Sequence, residues 1–159
     1  MVELRMVPAG DPAVAGFLRE RGMAVVARRA ALIDALARPA ITAIEDEELA
    51  GVLSYDLGPI ECEILALYTA RQWSGIGSAL LGAVVHLATA SGCRRCWVVT
   101  TNDNVDALRF YQRRGFHLTA LRCGAVDEAR RVLKPAMALI GEYGIPLRDE
   151  LELARDLLP

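Results

Sequence analysis

Apolar and polar residues alternate through Val2-Glu3-Leu4-Arg5-Met6-Val7, and this period of two predicts a first strand. Pro8-Ala9-Gly10-Asp11-Pro12 reads as a turn, with Asp11 as a helix cap and Pro12 in the first helical turn. Helical segments are expected over Pro12–Arg21 and Ala24–Arg38, broken near Gly22 and ended by Pro39. Ile41–Glu45 and Leu49–Tyr55 read as strands joined by the acidic turn Asp46-Glu47-Glu48. Ile60–Tyr68 is the strongest strand, and its continuously apolar half Ile64–Tyr68 is the pattern of a strand covered on both faces. From Gly75 to about Ser91 the period lengthens: Ile76, Leu80, Val84, Leu87 and Ala88 form one helical stripe, closed by Gly92. A strand Cys96–Thr101, a turn Asn102–Asn104, a helix to Arg114 and a strand Phe116–Cys123 follow.

The tail is less regular. Val126–Leu133 reads as a helix, Ala136–Ile140 as a short strand or loop, and Gly144-Ile145-Pro146 as a turn. Leu147, Leu151, Ala154 and Leu158 fit a helix, whereas Leu151 and Leu153 fit a strand; a final strand around Glu150–Leu153 is expected. Several strands come first, then strand–helix–strand–helix–strand. That order implies an α/β fold of the α+β kind, a central mixed twisted sheet flanked by helices.

The chain has 159 residues, a length that suits a single domain spanning 1–159. At 53% hydrophobic and 24% charged, it has material for a core and for a solvated surface. The net charge of -2, with the basic pairs Arg28-Arg29, Arg94-Arg95 and Arg130-Arg131 scattered, argues against nucleic acid as a partner. No apolar run has the length of a membrane span, and the alternating start is unlike a signal peptide, so a cytoplasmic protein is expected. Cys93-Arg94-Arg95-Cys96 has the spacing of a redox pair or half a zinc site. His86 and His117 are isolated, and the pair precedes a strand instead of opening a helix, so neither metal nor redox use is expected. Cys62 and Cys123 complete a set of thiols read as core or loop residues of a reducing compartment.

The chemistry concentrates in Gln72-Trp73-Ser74-Gly75-Ile76-Gly77, between a buried strand and a helix. A helix start leaves backbone N–H groups without intrahelical partners, and the macrodipole makes that end positive. Glycines let phosphates approach the main chain, so a diphosphate is the natural guest. A Walker A loop would need Lys-Ser/Thr where Ser78-Ala79 stands. A dinucleotide fingerprint would need a third glycine at Leu80, and an earlier place in the chain. The alternative is that Gly75 and Gly77 only let strand and helix pack closely. Further on, Asn104, Ala107 and Tyr111 are spaced by three and four and share a helix face. A small residue between two polar ones leaves room for a thin ligand arm. Asn104 also fits a helix cap, and Tyr111 a core aromatic.

Gln72-x-x-Gly75-x-Gly77 with its apolar helix, then Asn104-x-x-Ala107-x-x-x-Tyr111, then Gly115-Phe116, resembles the GNAT superfamily of N-acetyltransferases. The resemblance covers Ile60 to Phe116 clearly and Val2–Tyr55 in layout. It implies that acetyl-CoA is the cofactor and that main-chain N–H groups from Gln72, Trp73, Ser74, Gly75, Ile76, Gly77 and Ser78 bind its pyrophosphate. It implies that the backbone of Leu65, Ala66 and Leu67 holds the pantetheine arm and the thioester carbonyl. By the same resemblance Asn104 and Ala107 meet the cofactor arm, and Tyr111 protonates the leaving thiolate. Many relatives carry Arg-Gly where this chain has Gln72-Trp73, and the tail after Gly124 is longer than a simple closing hairpin. The acceptor pocket is expected from the segment Ala13–Arg38 and loops near the later strands, with Val25, Val26, Ala30, Leu32, Ile33 and Leu36 as plain core. A homodimer is a further family expectation.

Acetyl transfer to an amine requires a neutral nucleophile, donors for the oxyanion and a proton for the thiolate. A tyrosine, protonated at neutral pH, suits the last task. Glu63 and Glu61 alternate onto one face of the strand expected to pass the thioester, and are the candidate bases. Glu63 lies nearer the buried part, where desolvation raises a carboxyl pKa. Both also fit solvent-facing strand positions, and a water chain can replace either. The expected activity is transfer from acetyl-CoA to a small-molecule or peptide amine in a ternary complex. The alternatives are a catalytically silent acyl-CoA sensor or interaction module, and a protein for another phosphate ligand such as ATP or NAD.

Overall fold

A computed structural model describes Met1–Leu157 and shows a mixed α/β chain with mostly antiparallel strands and four helices. Two compact units divide it: Met1–Val26 with Asp34–Cys96 and Leu157, and Ala27–Ile33 with Trp97–Asp156.

In the first unit β1 (Val2–Val7), β4 (Ala40–Glu45), β5 (Glu48–Leu57) and β6 (Glu61–Thr69) lie side by side in that order, each antiparallel to the next. The β4–β5 turn places both Asp46 and Glu47 at positive φ, the geometry that matches the twist of a tight hairpin. Helix α1 (Pro12–Glu20) begins as its sequence dictates: the Asp11 carboxylate accepts the N–H groups of Ala13 and Val14, and Pro12 takes the first turn. It presses Val14, Phe17 and Leu18 against Val52 and Ala66 of the sheet.

Helix α2 (Ile76–Ala90) buries Ile76, Leu80, Leu81, Val84 and Ala88, while Leu87 is only half-buried. It packs on β4, β5 and β6. Close approach depends on Gly51 in β5, where an added Cβ would stand 2.8 Å from Ile76 Cγ2 and 3.0 Å from Leu80 Cδ1. Both neighbours are fully buried. Gly51→Ala is therefore expected to cost about 1–3 kcal/mol through overpacking. That is a fall of roughly 3–10 °C in melting temperature, checked by calorimetry. An unchanged melting temperature would mean that α2 has room to retreat.

The segment Ala24–Arg38 is a correction to the sequence reading. It forms a hairpin of β2 (Val25–Arg28) and β3 (Ala31–Asp34) and a short 3-10 turn, Ala35–Ala37, instead of a helix. Arg29 and Ala30 both take positive φ at the hairpin tip. The Asp34 carboxylate accepts the Leu36 N–H and starts the 3-10 turn. Val25, Ala30 and Leu32 are exposed, so they are not core; Val26 and Leu36 do pack on the core cluster. The tail of β6 is a second correction. Burial is continuous only from Cys62 to Ala66; Leu67 is half-buried and Tyr68 is exposed.

In the second unit β7 (Arg95–Thr101, which begins in the first), β9 (Glu150–Asp156) and β8 (His117–Arg122) lie in that order. β8 and β9 pair antiparallel. Helix α3 (Val105–Gln112) ends before Gly115 at φ +84, and the Phe116 N–H then returns to the Tyr111 carbonyl at 3.1 Å. Helix α4 (Ala125–Val132) follows β8. Ala136–Ile140 is loop, and only Ile140 makes a bridge, with Pro146. Asn102 organises the approach to β9: its side-chain oxygen accepts the N–H groups of Arg148 and Asp149, and its amide donates to the Pro146 carbonyl. The expected final strand is β9, longer than Glu150–Leu153; Leu158 lies outside the described residues.

Among the described residues no helix is long and apolar enough to cross a membrane. No group of three His, Cys, Asp or Glu side chains there is placed to hold a metal ion. All four cysteines are free thiols; Cys123 is exposed and the others are buried. A hydrogen bond with Cys96, and burial after it, pushes the Cys62 thiol far up, so it is an inert core group.

Candidate active site

The first unit holds the glycine turn and the strand before it. In β5–β6 the register runs Leu53↔Leu67 and Ser54↔Ala66, then Tyr55↔Ile64. Leu65 is thus the extra residue of a β-bulge. A bulge leaves the extra residue outside the ladder and bends the strand. The backbone of Leu65 is therefore withdrawn from β5 and can serve another acceptor or donor. Leu65 and Ala66 are buried and Leu67 is half-buried, so this main chain lies in a partly dry setting.

From Thr69 the chain turns toward α2. Thr69 Oγ1 and Ser74 Oγ both donate to the Arg71 carbonyl at 3.0 Å, which folds the turn onto itself. The Arg71 side chain is ion-paired with Glu45, anchoring the turn to β4. Trp73 and Gly75 take positive φ, 62° and 82°. Gln72, Trp73, Ser74 and Gly75 are exposed. Gly75 is the N-cap of α2, and no side chain caps the helix. The first intrahelical bond is made by the Ala79 N–H to the Gly75 carbonyl. The N–H groups of Ile76, Gly77 and Ser78 precede it in the uncapped first turn, at the positive end of a 15-residue helix. An anion seat has this construction.

The two candidate bases separate. Glu61 is exposed and its Oε1 accepts from Arg95 Nη1 at 3.3 Å. Glu63 is 5% exposed, which removes the reading of it as a solvent-facing residue. Of the two, only Glu63 is buried.

The second unit holds Asn104, Ala107 and Tyr111. Asn104 is the N-cap of α3, and its Oδ1 accepts the Ala107 N–H at 3.1 Å. The cap uses the carbonyl side of the amide and leaves the Nδ2 group to face other partners. Ala107 is half-buried one turn on. Tyr111 is 5% exposed, with its ring edge-on to Phe110 at 5.1 Å and tilted on Phe116 at 5.3 Å. The expected cap and core roles are thus both real. Two features had no sequence signal: the bulge at Leu65, and the Gly51 contact that seats α2.

The model of the Acetyltransferase (GNAT) family matches residues 14–116. The uncharacterized protein YdhI of Bacillus subtilis (strain 168) is 42% identical over 107 residues, 67% of this chain and 66% of YdhI, just under two thirds of that relative. Among solved structures, the chain is similar to an IAA acetyltransferase from Bacillus cereus ATCC 14579, with a TM-score of 0.76 and 23% identity over 99% of this chain and 100% of that one. It is also similar to a GNAT family acetyltransferase from Elizabethkingia anophelis with acetyl-CoA bound, with a TM-score of 0.72 and 20% identity over 98% of both chains. With the fold shared and the family model spanning β5, β6, α2, β7 and α3, this chain belongs to the GNAT family of acetyltransferases.

Proposed function

We propose that the chain acts as one domain, an acetyl-CoA-dependent N-acetyltransferase that passes the acetyl group directly to a primary amine. The observation that carries this reading is the uncapped start of α2, directly after the bulged strand β6. Together they offer an anion seat and, at Leu65, main chain outside the β5 ladder, the two things a diphosphate and an amide-bearing arm require. The similar Elizabethkingia protein was solved with acetyl-CoA bound, which supports the choice of ligand. In this reading Gln72–Ser78 bind the pyrophosphate, and the backbone of Leu65–Leu67 holds the arm and the thioester carbonyl. Asn104 meets the cofactor arm through Nδ2, beside Ala107. Glu63, or water in contact with it, takes the proton of the incoming ammonium. The neutral amine attacks the thioester carbon, the C–S bond breaks, and the thiolate receives the Tyr111 phenol proton; the second proton that the nitrogen sheds as the amide forms passes through solvent to the phenolate.

The test of the cofactor is a thermal-shift titration with acetyl-CoA and coenzyme A, with ATP and NAD as controls. A ligand of the folded state alone raises stability by about 2.7 kcal/mol at a hundredfold excess over Kd. A rise of roughly 5–10 °C is expected with the coenzyme A ligands alone. No shift at millimolar ligand would remove the transferase reading.

A further inference from the structure

A separate recess lies wholly within the second unit and uses none of the residues assigned above. Its volume is about 240 Å³. Ala125, Ala129 and Leu133 of the α4 region give it an apolar wall. Its polar wall is Arg29, Arg122, Glu128 and Glu150, with Glu128 already paired to Arg131 at 3.2 Å.

That polar wall is held in place from several sides. The guanidinium groups of Arg28 and Arg29 lie 5.6 and 5.1 Å from the centre of the Trp97 ring, which steadies the hairpin tip. The Arg29 N–H donates to Glu150 Oε1 at 2.8 Å. Glu150 is 3% exposed, and no second donor reaches its carboxylate among the described residues. Arg122 stands directly opposite Glu150 in the β8–β9 ladder. Opposed charges at such positions ordinarily pair. Here Arg122 turns to the diagonal Glu152 instead, with Nη2 donating to Oε1 at 3.0 Å. Its Nη1 is sealed from solvent and has no hydrogen-bond partner among the described residues. A buried charged donor left unpaired is costly, and a small rotation toward the recess would give it to an anion.

We infer that this recess binds a small aliphatic α-amino acid as its zwitterion. The carboxylate takes Arg122 Nη1, the ammonium takes the open side of Glu150, and the side chain lies on Ala125 and Ala129. A simple carboxylic acid would meet the repulsion of Glu150. A simple amine would leave Arg122 Nη1 orphaned. The zwitterion satisfies both walls without an unpaired charge. The volume is below the usual range of about 300–1,000 Å³ for drug-sized ligands, and so favours a side chain of a few carbons. The inference goes beyond the transferase reading and does not require coenzyme A; its ligand is of the amine class that reading calls for.

The test is isothermal titration of the full chain, without coenzyme A, with valine and leucine. Isobutylamine and isovalerate serve as the amine-only and acid-only halves. Both amino acids are expected to bind, and either half at least about tenfold more weakly, the loss expected for one charged hydrogen bond. Arg122→Gln and Glu150→Gln should each weaken the amino acids by a similar factor. Ala125→Leu, which fills the recess and leaves the charges, should abolish binding at an unchanged melting temperature. The inference is overturned if neither amino acid binds, if isovalerate binds as tightly as leucine, or if Ala125→Leu binds like the parent. Failure here leaves the coenzyme A shift untouched, so the two readings fail separately.

Discussion

Tyr111→Phe is expected to lower kcat by about 10²–10⁴-fold, the usual contribution of a positioned general acid. The substitution keeps the ring, and with it the contacts with Phe110 and Phe116. The fold and the melting temperature should therefore stay close to those of the parent. The step most affected is departure of the thiolate, so KM for acetyl-CoA should change little, and kcat and kcat/KM should fall together. Release of the coenzyme A thiol, followed with a chromogenic disulfide under saturating amine, measures this. A variant that turns over as fast as the parent would remove Tyr111 as the acid. A parent that binds acetyl-CoA and transfers to no amine would point to the silent sensor.

The sequence carried most of the frame that places this residue. Asn104, Ala107 and Tyr111 at spacings of three and four, with Gly115 to end the helix, define α3 and its face from the sequence alone. Such local signals survive because they depend on hydrogen bonds a few residues long: the Asn104 cap, the Asp11 cap, the positive φ of Gly115. The hairpin at Val25–Asp34 was not legible for the opposite reason. Its alanines, leucine and arginines are good helix formers, and intrinsic propensity is a weak prior. What overrides it is remote: Glu150, 121 positions along the chain, holds the Arg29 N–H, and Trp97 sits beside both arginines. The bulge at Leu65 is hidden in the same way, since register is a property of two strands and β6 alone reads as an unbroken apolar run. Gly51 looked like any strand glycine until Ile76 and Leu80 were seen against it.

Ser78→Asp should move stability and cofactor affinity in opposite directions, which a structural turn would not do. Ser78 is exposed in the first turn of α2, where no side chain caps the helix. A carboxylate there faces the positive end of the macrodipole and should stabilise the free protein by about 0.3–1 kcal/mol. The same charge stands within a few ångströms of where the diphosphate is proposed to sit. Two like charges about 5 Å apart repel by about 1–3 kcal/mol for effective dielectric constants between those of water and a protein surface. Coenzyme A affinity should therefore fall roughly five- to 150-fold. Calorimetric titration gives the affinity and a scan without ligand gives the stability. Ser78→Ala separates charge from the loss of the hydroxyl, and should keep affinity near that of the parent. If the aspartate variant is more stable and still binds coenzyme A as the parent does, the phosphates lie elsewhere and the uncapped start of α2 serves packing against Gly51. If stability rises and affinity falls, the start of α2 is where the cofactor's phosphates sit.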